Sequence, residues 1–293
     1  MAWLEIRFQG VATDLDETEH LLNSLGAEVV SVYDAGDQPL LEPLPGELPL
    51  WDDLKIKALF KENSEIKMLT QTISSELNIP ADSIEHEHIA DQNWETAWME
   101  DFEPMQFGNK LWIIPSWLEP PEKDAINLML DPGLAFGSGT HETTSMCMEY
   151  LDQQPPTDLQ VLDYGCGSGV LSLAAILLGA SHVTGVDIDP QAIVAANENA
   201  KKNNIDSSKF NFYLVEELSA MQVDLLLANI LSDTLISLAS ELTHLVKTGG
   251  TIILSGILEY QTEEIVKTYS HWFEVNEICN QEEWVMIRAT KVI

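Results

Sequence analysis

Residues 161–169 read Val-Leu-Asp-Tyr-Gly-Cys-Gly-Ser-Gly, and residues 185–189 read Gly-Val-Asp-Ile-Asp. The first stretch is typical of an apolar strand that passes through Asp163 into three alternate glycines and then into a helix. Glycine allows a tight turn and leaves room for a ligand to lie against the main chain. Asp187 follows the last glycine by 18 positions, close to where an acidic residue meets the ribose hydroxyls of a bound adenosine. The two stretches therefore predict a site for an adenosine-containing cofactor.

The spacing of the glycines separates two kinds of adenosine cofactor. Dinucleotide sites use G-x-G-x-x-G and place a helix N-terminus against the pyrophosphate, whereas here the glycines stand at 165, 167 and 169. The Asp163 carboxylate would repel a pyrophosphate but would attract the ammonium group of a methionine moiety. Asp-x-Gly-x-Gly-x-Gly resembles the glycine-rich motif of class I S-adenosylmethionine-dependent methyltransferases. The motif favours that cofactor over NAD, and the position of Asp187 counts against a turn that binds nothing.

A later apolar stretch ends in a residue suited to an amine substrate. Residues Val223–Asn229 are predicted to form a buried strand. In the fold that the glycine motif resembles, the end of this strand lies beside the sulfonium methyl group. Asn is neutral, so its side chain can orient an amine without stabilising the protonated, unreactive form. An alternative, compatible with this role, is that Asn229 caps a helix that begins near Ser232, since Asn is among the most favoured N-cap residues.

A third segment, Asp131–Thr144, is rich in glycine and hydroxyl groups around Phe136. Such residues make a poor core, so we expect this segment to cover a bound ligand.

A closer family resemblance rests on motifs from across the chain. They resemble motifs of the bacterial ribosomal protein L11 methyltransferases, and they comprise Trp94–Met99, Leu111–Trp117, Asp131–Thr144, Asp163–Gly169, Gly185–Pro190 and Asn229–Leu231. Two positions depart from the family pattern, because Ser138 stands where we expect Thr and Glu142 where we expect Pro. Neither change removes chemistry from the segment.

The motifs and the resemblance together assign roles to individual residues. The expected cofactor contacts are Thr144, Asp163, Gly165, Gly167, Gly169, Asp187 and Asn229. Asn229 is also the predicted catalytic residue, and Phe136, Thr140 and His141 are predicted to line the pocket for the target amine. His141 is expected to form a structural hydrogen bond rather than to act as a base, and no general base is evident.

The reaction that the resemblance implies is methyl transfer from S-adenosylmethionine to lysine and N-terminal amines of ribosomal protein L11. Two alternatives stay open. One is an amino methyltransferase that acts on another protein or on a small amine. The other is a catalytically idle assembly factor that binds a ribosomal protein, although the intact glycine motif with Asp187 and Asn229 counts against it.

The expected fold class is α/β, with a Rossmann-like, mostly parallel seven-stranded methyltransferase sheet preceded by a small α+β domain. Residues 1–90 alternate in the order βαββαβ, which is typical of a ferredoxin-like domain. The family resemblance implies that this domain recognises the protein substrate. Residues 91–108 carry Trp94, Trp98 and Phe102 at helical spacing and predict a linker helix. Residues 109–293 are assigned to the methyltransferase domain.

Elements within the two domains follow from hydrophobic periodicity and from capping residues. In the small domain a second helix is predicted over Ser64–Leu77, with Ser64 as its N-cap. In the large domain Gly249 and Gly250 are predicted to end a helix before strand Thr251–Ser255. The remaining large-domain predictions are strands His182–Asp187, Phe210–Val215, Trp272–Ile278 and Trp284–Ala289 and helices Pro190–Asn203, Asp233–Leu245 and Thr262–Tyr269.

Sequence and composition indicate the cellular compartment of the protein and whether it binds a metal. No apolar run approaches the roughly 20 residues of a membrane span, and the N-terminus lacks the features of a signal peptide. The three cysteines, Cys147, Cys166 and Cys279, are far apart in sequence and show no metal-binding spacing. His86 and His88 alternate on a predicted strand, but no further ligands accompany them. We therefore expect a cytoplasmic protein without a metal, and take a monomer as the default state.

The charge is strongly acidic, with 48 Asp and Glu against 14 Lys and Arg and a net charge of −34. Direct binding of nucleic acid is disfavoured, because phosphate contacts need clustered basic residues. A basic protein partner such as a ribosomal protein would be attracted. Adaptation to salt or cold, or simple solubility, would produce the same charge.

Overall fold

The computed structural model of the chain describes residues 2–36, 50–89, 102–131 and 141–293. These residues belong to two compact units, residues 1–101 and residues 102–293. Each unit has its own hydrophobic core.

The first unit is a four-stranded antiparallel sheet with two helices. Its elements are β1 (Trp3–Val11), α1 (Leu15–Ser24), β2 (Val29–Asp34), β3 (Asp53–Lys61), α2 (Ile66–Glu76) and β4 (Glu85–Ile89). The strands lie in the order β2-β3-β1-β4, and every neighbouring pair is antiparallel. This arrangement confirms the ferredoxin-like fold expected from the sequence.

One face of this sheet is covered by the helices. Alternate residues of β3 are fully buried, and they pack with Leu22 of α1 and Ile73 of α2. The residues between them point to the opposite face, because side chains alternate along a strand. Ser64 does not cap α2 as predicted, since Glu65 is the N-cap residue and the Ser64 N–H instead donates to Lys61 O in the turn after β3.

The second unit is built on a seven-stranded sheet flanked by helices. Its main elements are α3 (Glu142–Gln153), β8 (Gln160–Tyr164), α4 (Val170–Leu177), β9 (His182–Asp187), α5 (Pro190–Lys202), β10 (Phe210–Leu214), β11 (Val223–Asn229), α6 (Ser232–Leu245), β12 (Val246–Leu258), α7 (Thr262–Tyr269), β13 (Phe273–Gln281) and β14 (Trp284–Lys291). The strand order is β10-β9-β8-β11-β12-β14-β13. All neighbouring pairs are parallel except those that involve β14. The expected methyltransferase-type sheet is confirmed.

The seven-stranded sheet is buried on both faces. Val161 of β8 belongs to a core with α3, α4 and α5, and its neighbour Leu162 belongs to a second core with α6 and α7. Strands buried on both sides read as continuous apolar runs, which is why β9 and β11 match their predicted bounds.

A small three-stranded sheet precedes these elements and was not predicted. It consists of β5 (Met105–Phe107), β6 (Leu111–Ile114) and β7 (Ile126–Met129). The predicted linker helix over 91–108 lies mostly outside the described residues, but its end is wrong, because Met105–Phe107 form a strand paired with β6. Pro104 gives a physical reason, since a proline disfavours helical backbone at the residue before it.

The glycine pair at 249 and 250 does not end a helix. Helix α6 already ends at Leu245, and both glycines lie within β12. The pairing of β11 with β12 skips from Val246 to Thr251, so the glycines accommodate an irregularity in the strand. Among the described helices, none is both long enough and apolar enough to cross a membrane.

Candidate active site

The turn after β8 is shaped by three glycines with left-handed backbone conformations. Gly165, Gly167 and Gly169 have φ values of +80°, +52° and +79°, in the left-handed region that favours glycine. A Cβ atom on Gly165 would lie 2.3 Å from Ile230 Cγ2, and one on Gly169 would lie 2.9 Å from Ala196 Cβ. The Gly165 N–H also donates to Val186 O at 2.8 Å, which ties the turn to β9.

Asp187, the last residue of β9, closes over this turn. Its Oδ2 accepts a hydrogen bond from the Gly167 N–H at 2.9 Å, and its Oδ1 accepts one from the Asp189 N–H at 3.0 Å. Asp189 in turn caps α5 by accepting from the Gln191 N–H at 2.8 Å. The acidic residue and the glycine turn that the sequence linked by spacing therefore meet directly.

The side chain of Ile188, next to Asp187, is 85% exposed. An isolated apolar side chain at this position was not singled out from the sequence. Its place directly after Asp187 provides an apolar surface beside the glycine turn.

Asp163 is only 1% exposed and has a partner inside the protein. Both the Ser172 N–H, at 3.0 Å, and the Ser172 hydroxyl, at 2.7 Å, donate to Asp163 Oδ2. Burial raises the pKa of Asp163 to about 6, although the bonds from Ser172 oppose that shift. Sequence reasoning missed Ser172; the signal available was a hydroxyl residue in the first turn of the helix that follows the last glycine.

Asn229, at the end of β11, contacts the start of α3. Its Nδ2 donates to Thr144 Oγ1 at 3.2 Å, and Thr144 is buried. Helix α6 begins at Ser232 with Leu231 as its N-cap residue. The interpretation of Asn229 as a helix cap is therefore wrong, because its side chain turns towards α3.

The first turn of α3 is also fixed by His141 and Ser255. His141 is the N-cap residue, and its Nδ1 accepts from the Thr143 N–H at 3.3 Å and lies 2.8 Å from Thr143 Oγ1. Its ring packs edge-on against Trp284 at a centroid distance of 4.9 Å. The buried Ser255 hydroxyl donates to Thr143 O at 3.1 Å. The structural hydrogen bond expected of His141 is thus present.

Ile230 joins the two parts of this edge. Its side chain faces Gly165, while its carbonyl oxygen would lie 2.5 Å from a Cβ on Gly256. The Ile230 N–H donates to Ser255 O at 3.2 Å. The structure therefore brings the glycine turn and the Asn229–Thr144 pair to one edge of the sheet. Phe136 and Thr140, the other predicted pocket residues, lie outside the described residues.

The described residues contain no group of three or more His, Cys, Asp or Glu side chains that could hold a metal ion. All three cysteines are free thiols. Cys147 and Cys166 are buried, and burial raises the pKa of both, that of Cys147 to about 12. Neither thiol is suited to act as a nucleophile at neutral pH.

Comparison with known proteins agrees with this geometry. The family model described as "Ribosomal protein L11 methyltransferase (PrmA)" matches residues 2–292. A protein named ribosomal protein L11 methyltransferase from Marinobacter nauticus is 45% identical, with 99% of each chain covered. One of the same name from Pseudomonas aeruginosa is 47% identical, again with 99% of each chain covered.

A solved structure points the same way. The crystal structure of a ribosomal protein L11 methylase from Lactobacillus delbrueckii subsp. bulgaricus is 31% identical in sequence. It superimposes with a TM-score of 0.60, and the match covers 66% of this chain and all of that one. With a family model that spans nearly its whole length, the chain belongs to the ribosomal protein L11 methyltransferase family and is a methyltransferase.

Proposed function

We propose that this methyltransferase transfers methyl groups from S-adenosylmethionine to lysine and N-terminal amines of ribosomal protein L11. The single observation that carries the proposal is the Asn229–Thr144 pair beside the glycine turn. This pair offers a neutral acceptor for an amine, and the turn offers a backbone surface for the methyl donor. The names of the family and of the two relatives support the choice of protein substrate.

The residues around the turn fit this cofactor better than a dinucleotide. The N–H of Ser172, in the first turn of α4, already donates to the buried Asp163 carboxylate, so a pyrophosphate at this helix N-terminus would meet a negative charge. The same carboxylate is stabilised in its ionised form by a cation. When bound, S-adenosylmethionine supplies such a cation and an electrophilic methyl group. Gly165, Gly167 and Gly169 would hold it along the turn.

Asp187 and Ile188 would bind the adenosine end. The Asp187 carboxylate is already positioned by two backbone N–H groups, and a carboxylate in this position accepts hydrogen bonds from ribose hydroxyls. A base that lies against the exposed side chain of Ile188 removes apolar surface of that side chain from water, which favours binding. Both residues thus favour an adenosine over a ligand without a base.

Asn229 would orient the amine. Because its Nδ2 donates to Thr144 Oγ1, its Oδ1 is the atom left to accept a hydrogen bond from an incoming amine. Lysine has a pKa of about 10.4 in water, and burial at the site lowers that value by disfavouring the charged form. His141 is held by Thr143 as a helix cap, so the proposal assigns it no proton transfer. The chain then accelerates methyl transfer mainly by orientation, which brings the reacting atoms into line at about 3–3.5 Å.

The charge of the chain supports a basic substrate. A net charge of −34 attracts and steers a basic protein. We assign recognition of that protein to the first unit and place the enzyme in the cytoplasm as a monomer.

The test is a methylation assay with labelled S-adenosylmethionine and a mixture of purified large-subunit ribosomal proteins. The proposal expects one labelled band, that of L11, with label on lysines and on the N-terminal amine. Label on another protein would assign a different substrate. No label with intact cofactor binding would indicate a catalytically idle factor.

Variants at the Asn229–Thr144 pair test the amine-binding step. Asn229→Ala should reduce turnover by about 100-fold or more, the scale of losing one oriented polar group at a reacting centre. Thr144→Val removes the partner of Asn229 and should reduce turnover by about 10-fold. Thr144→Ser keeps the hydroxyl and serves as the matched control. Equal turnover in Thr144→Val and Thr144→Ser would remove this pair from the mechanism.

A further inference from the structure

Four of the five basic residues of the first unit lie on one face of its sheet. Residues 1–101 contain five Lys and Arg, namely Arg7, Lys55, Lys57, Lys61 and Lys67. Lys55, Lys57 and Lys61 occupy alternate positions of β3, between or beside residues that are fully buried in the core. They therefore point to the face that the helices leave open. Arg7 of β1 pairs in register with Lys57 and shares this face.

Of the three lysines on this face, only Lys61 forms an ion pair within the part of the chain that the structure describes. Lys61 lies 3.3 Å from Glu28, and both side chains are well exposed to water. Among the residues that the structure describes, Lys55 and Lys57 form no ion pair. Glu28, and Asp53 at the start of β3, which shares this face, offset part of the charge of the three lysines. This part of the face therefore keeps only a small net positive charge.

An exposed aromatic ring lies among these lysines. Tyr33 of β2 stands opposite Lys55 in the sheet and is 47% exposed. The Nζ atom of Lys57 lies over one face of the Tyr33 ring at 4.8 Å from its centroid, a cation–π geometry, so a base would stack on the part of the ring that stays exposed. We call Tyr33, Lys55, Lys57 and Lys61 the lysine strip.

The other half of the open face is acidic. Arg7 on β1 is neutralised by Glu5 at 2.6 Å and by Glu87 of β4, and Glu85 of β4 is the register partner of Arg7. An anionic ligand would thus be confined to the half formed by β2 and β3.

We propose that the lysine strip binds single-stranded RNA. A row of lysines supplies phosphate contacts, and an exposed ring beside them supplies a surface on which a base stacks. Six residue steps separate Lys55 from Lys61, which at about 3.4 Å per step is about 20 Å of extended chain, long enough for several nucleotides. An acidic peptide would use the lysines but has no use for the ring, so RNA is the partner that accounts for both.

This inference runs against the expectation drawn from composition alone. A net charge of −34 disfavours nucleic-acid binding when it is averaged over the chain. Three of the five basic residues of the first unit lie on one strand, β3, and screening limits the reach of the acidic groups to about 10 Å at 0.1 M salt and about 20 Å at 20 mM. Binding at this strip should therefore be weak and local.

Fluorescence anisotropy of a fluorescein-labelled 12-nucleotide oligouridine, titrated with the full chain between 20 and 150 mM KCl, tests the proposal. Non-specific nucleic-acid binding sets the expected dissociation constant at about 1–100 μM. With three phosphate contacts, the logarithm of the association constant should fall with the logarithm of the salt concentration with a slope of about −2. In Lys55→Gln/Lys57→Gln the slope should be about −0.7, and the affinity at 20 mM KCl should fall at least 10-fold. Tyr33→Ser should weaken binding about 5-fold or more.

Lys123→Gln/Lys267→Gln is the matched control. It removes the same charge from two exposed lysines of the second unit and should leave the affinity within 2-fold of the unchanged protein. Circular dichroism checks that each variant is folded. Absence of binding by the unchanged protein at 20 mM KCl, or equal losses in the two double variants, would overturn the proposal. Displacement of the oligonucleotide by a polyglutamate peptide at equal concentration would instead assign the strip to an acidic protein segment.

Discussion

The two sheets of this molecule bury their strands in different ways. In the first unit the helices cover one face, so in β3 buried residues alternate with residues of the open face, three of which are lysines. In the second unit both faces are covered, and from Leu225 β11 is apolar until its last residue, Asn229. A half-covered sheet can carry polar groups along a whole face. A sheet covered on both sides presents polar groups to a ligand mainly at its strand ends, and here β8, β9 and β11 end at the glycine turn, Asp187 and Asn229.

This contrast implies different tolerances to substitution. At the strand ends of the second unit, backbone and side chains are packed within van der Waals distance of one another. On the open face of the first unit, the polar side chains are exposed to solvent. Substitutions at the strand ends should therefore cost more free energy of unfolding or of binding than those on the open face.

The largest effect is expected from Gly169→Ala. A Cβ there would sit 2.9 Å from Ala196 Cβ and 3.2 Å from its Cα, at a φ of +79°. Strain and overpacking together should lower the free energy of unfolding by about 3 kcal/mol. Gly249→Ala is the matched control, because Gly249 has a φ of +80° but no atom within 4 Å of the added Cβ, and it should cost about 1 kcal/mol. Urea unfolding measures both, and equal costs would show that packing at the turn is not limiting.

Asp187→Ala tests the end of β9. Loss of its carboxylate should weaken binding of S-adenosylmethionine by about 10- to 100-fold, or about 1.4–2.7 kcal/mol. Asp189→Ala is the control, since it removes the α5 cap at a cost of about 1 kcal/mol in stability but leaves the Asp187 side chain in place. Isothermal titration calorimetry would exclude Asp187 from the site if its variant bound the donor as tightly as the Asp189 variant.

Asp163 should make stability depend on pH. Its pKa is about 6 in the folded chain against about 3.9 for an unperturbed Asp, so the folded state holds the proton more tightly and stability falls as the pH rises towards and through 6. Between pH 5 and pH 8 this group should lower the free energy of unfolding by about 1.4 kcal/mol. Asp163→Asn cannot ionise and should lack this component. Urea unfolding of both proteins across that range measures the difference, and parallel pH profiles would contradict the raised pKa.

The smallest effect is expected on the open face of the first unit. Lys61→Gln removes the pair with Glu28, whose side chains are 68% and 46% exposed. The free energy of unfolding should change by less than about 0.5 kcal/mol, as measured by thermal unfolding. A loss above 1 kcal/mol would show that this face is not simply solvated.

Features encoded by local pattern were predictable from the sequence. Strands His182–Asp187 and Val223–Asn229 and helix Thr262–Tyr269 have the predicted bounds, because each is a sharply bounded apolar or amphipathic run. The contact of Asp187 with the glycine turn was also foreseeable, since both lie at the ends of adjacent parallel strands.

Other features depend on contacts that no local pattern encodes. The partner of Asn229 is Thr144, 85 residues earlier, so neighbouring residues could not show that Asn229 does not cap α6. The Gly249–Gly250 pair predicted a helix end because glycine is favoured directly after a helix. In the structure both glycines lie in β12, where the pairing with β11 is irregular. Ser172 was missed because its bond to Asp163 forms only once the turn has folded.

Ile230 carries one last consequence. Its side chain meets Gly165 and its main chain meets Gly256, so three positions from distant parts of the chain form a single steric unit. A side chain at position 165 would meet the Ile230 side chain, whereas one at position 256 would meet Ile230 main-chain atoms. Replacing Gly165 would therefore require a smaller residue at position 230, but no side-chain change at 230 would make room at position 256.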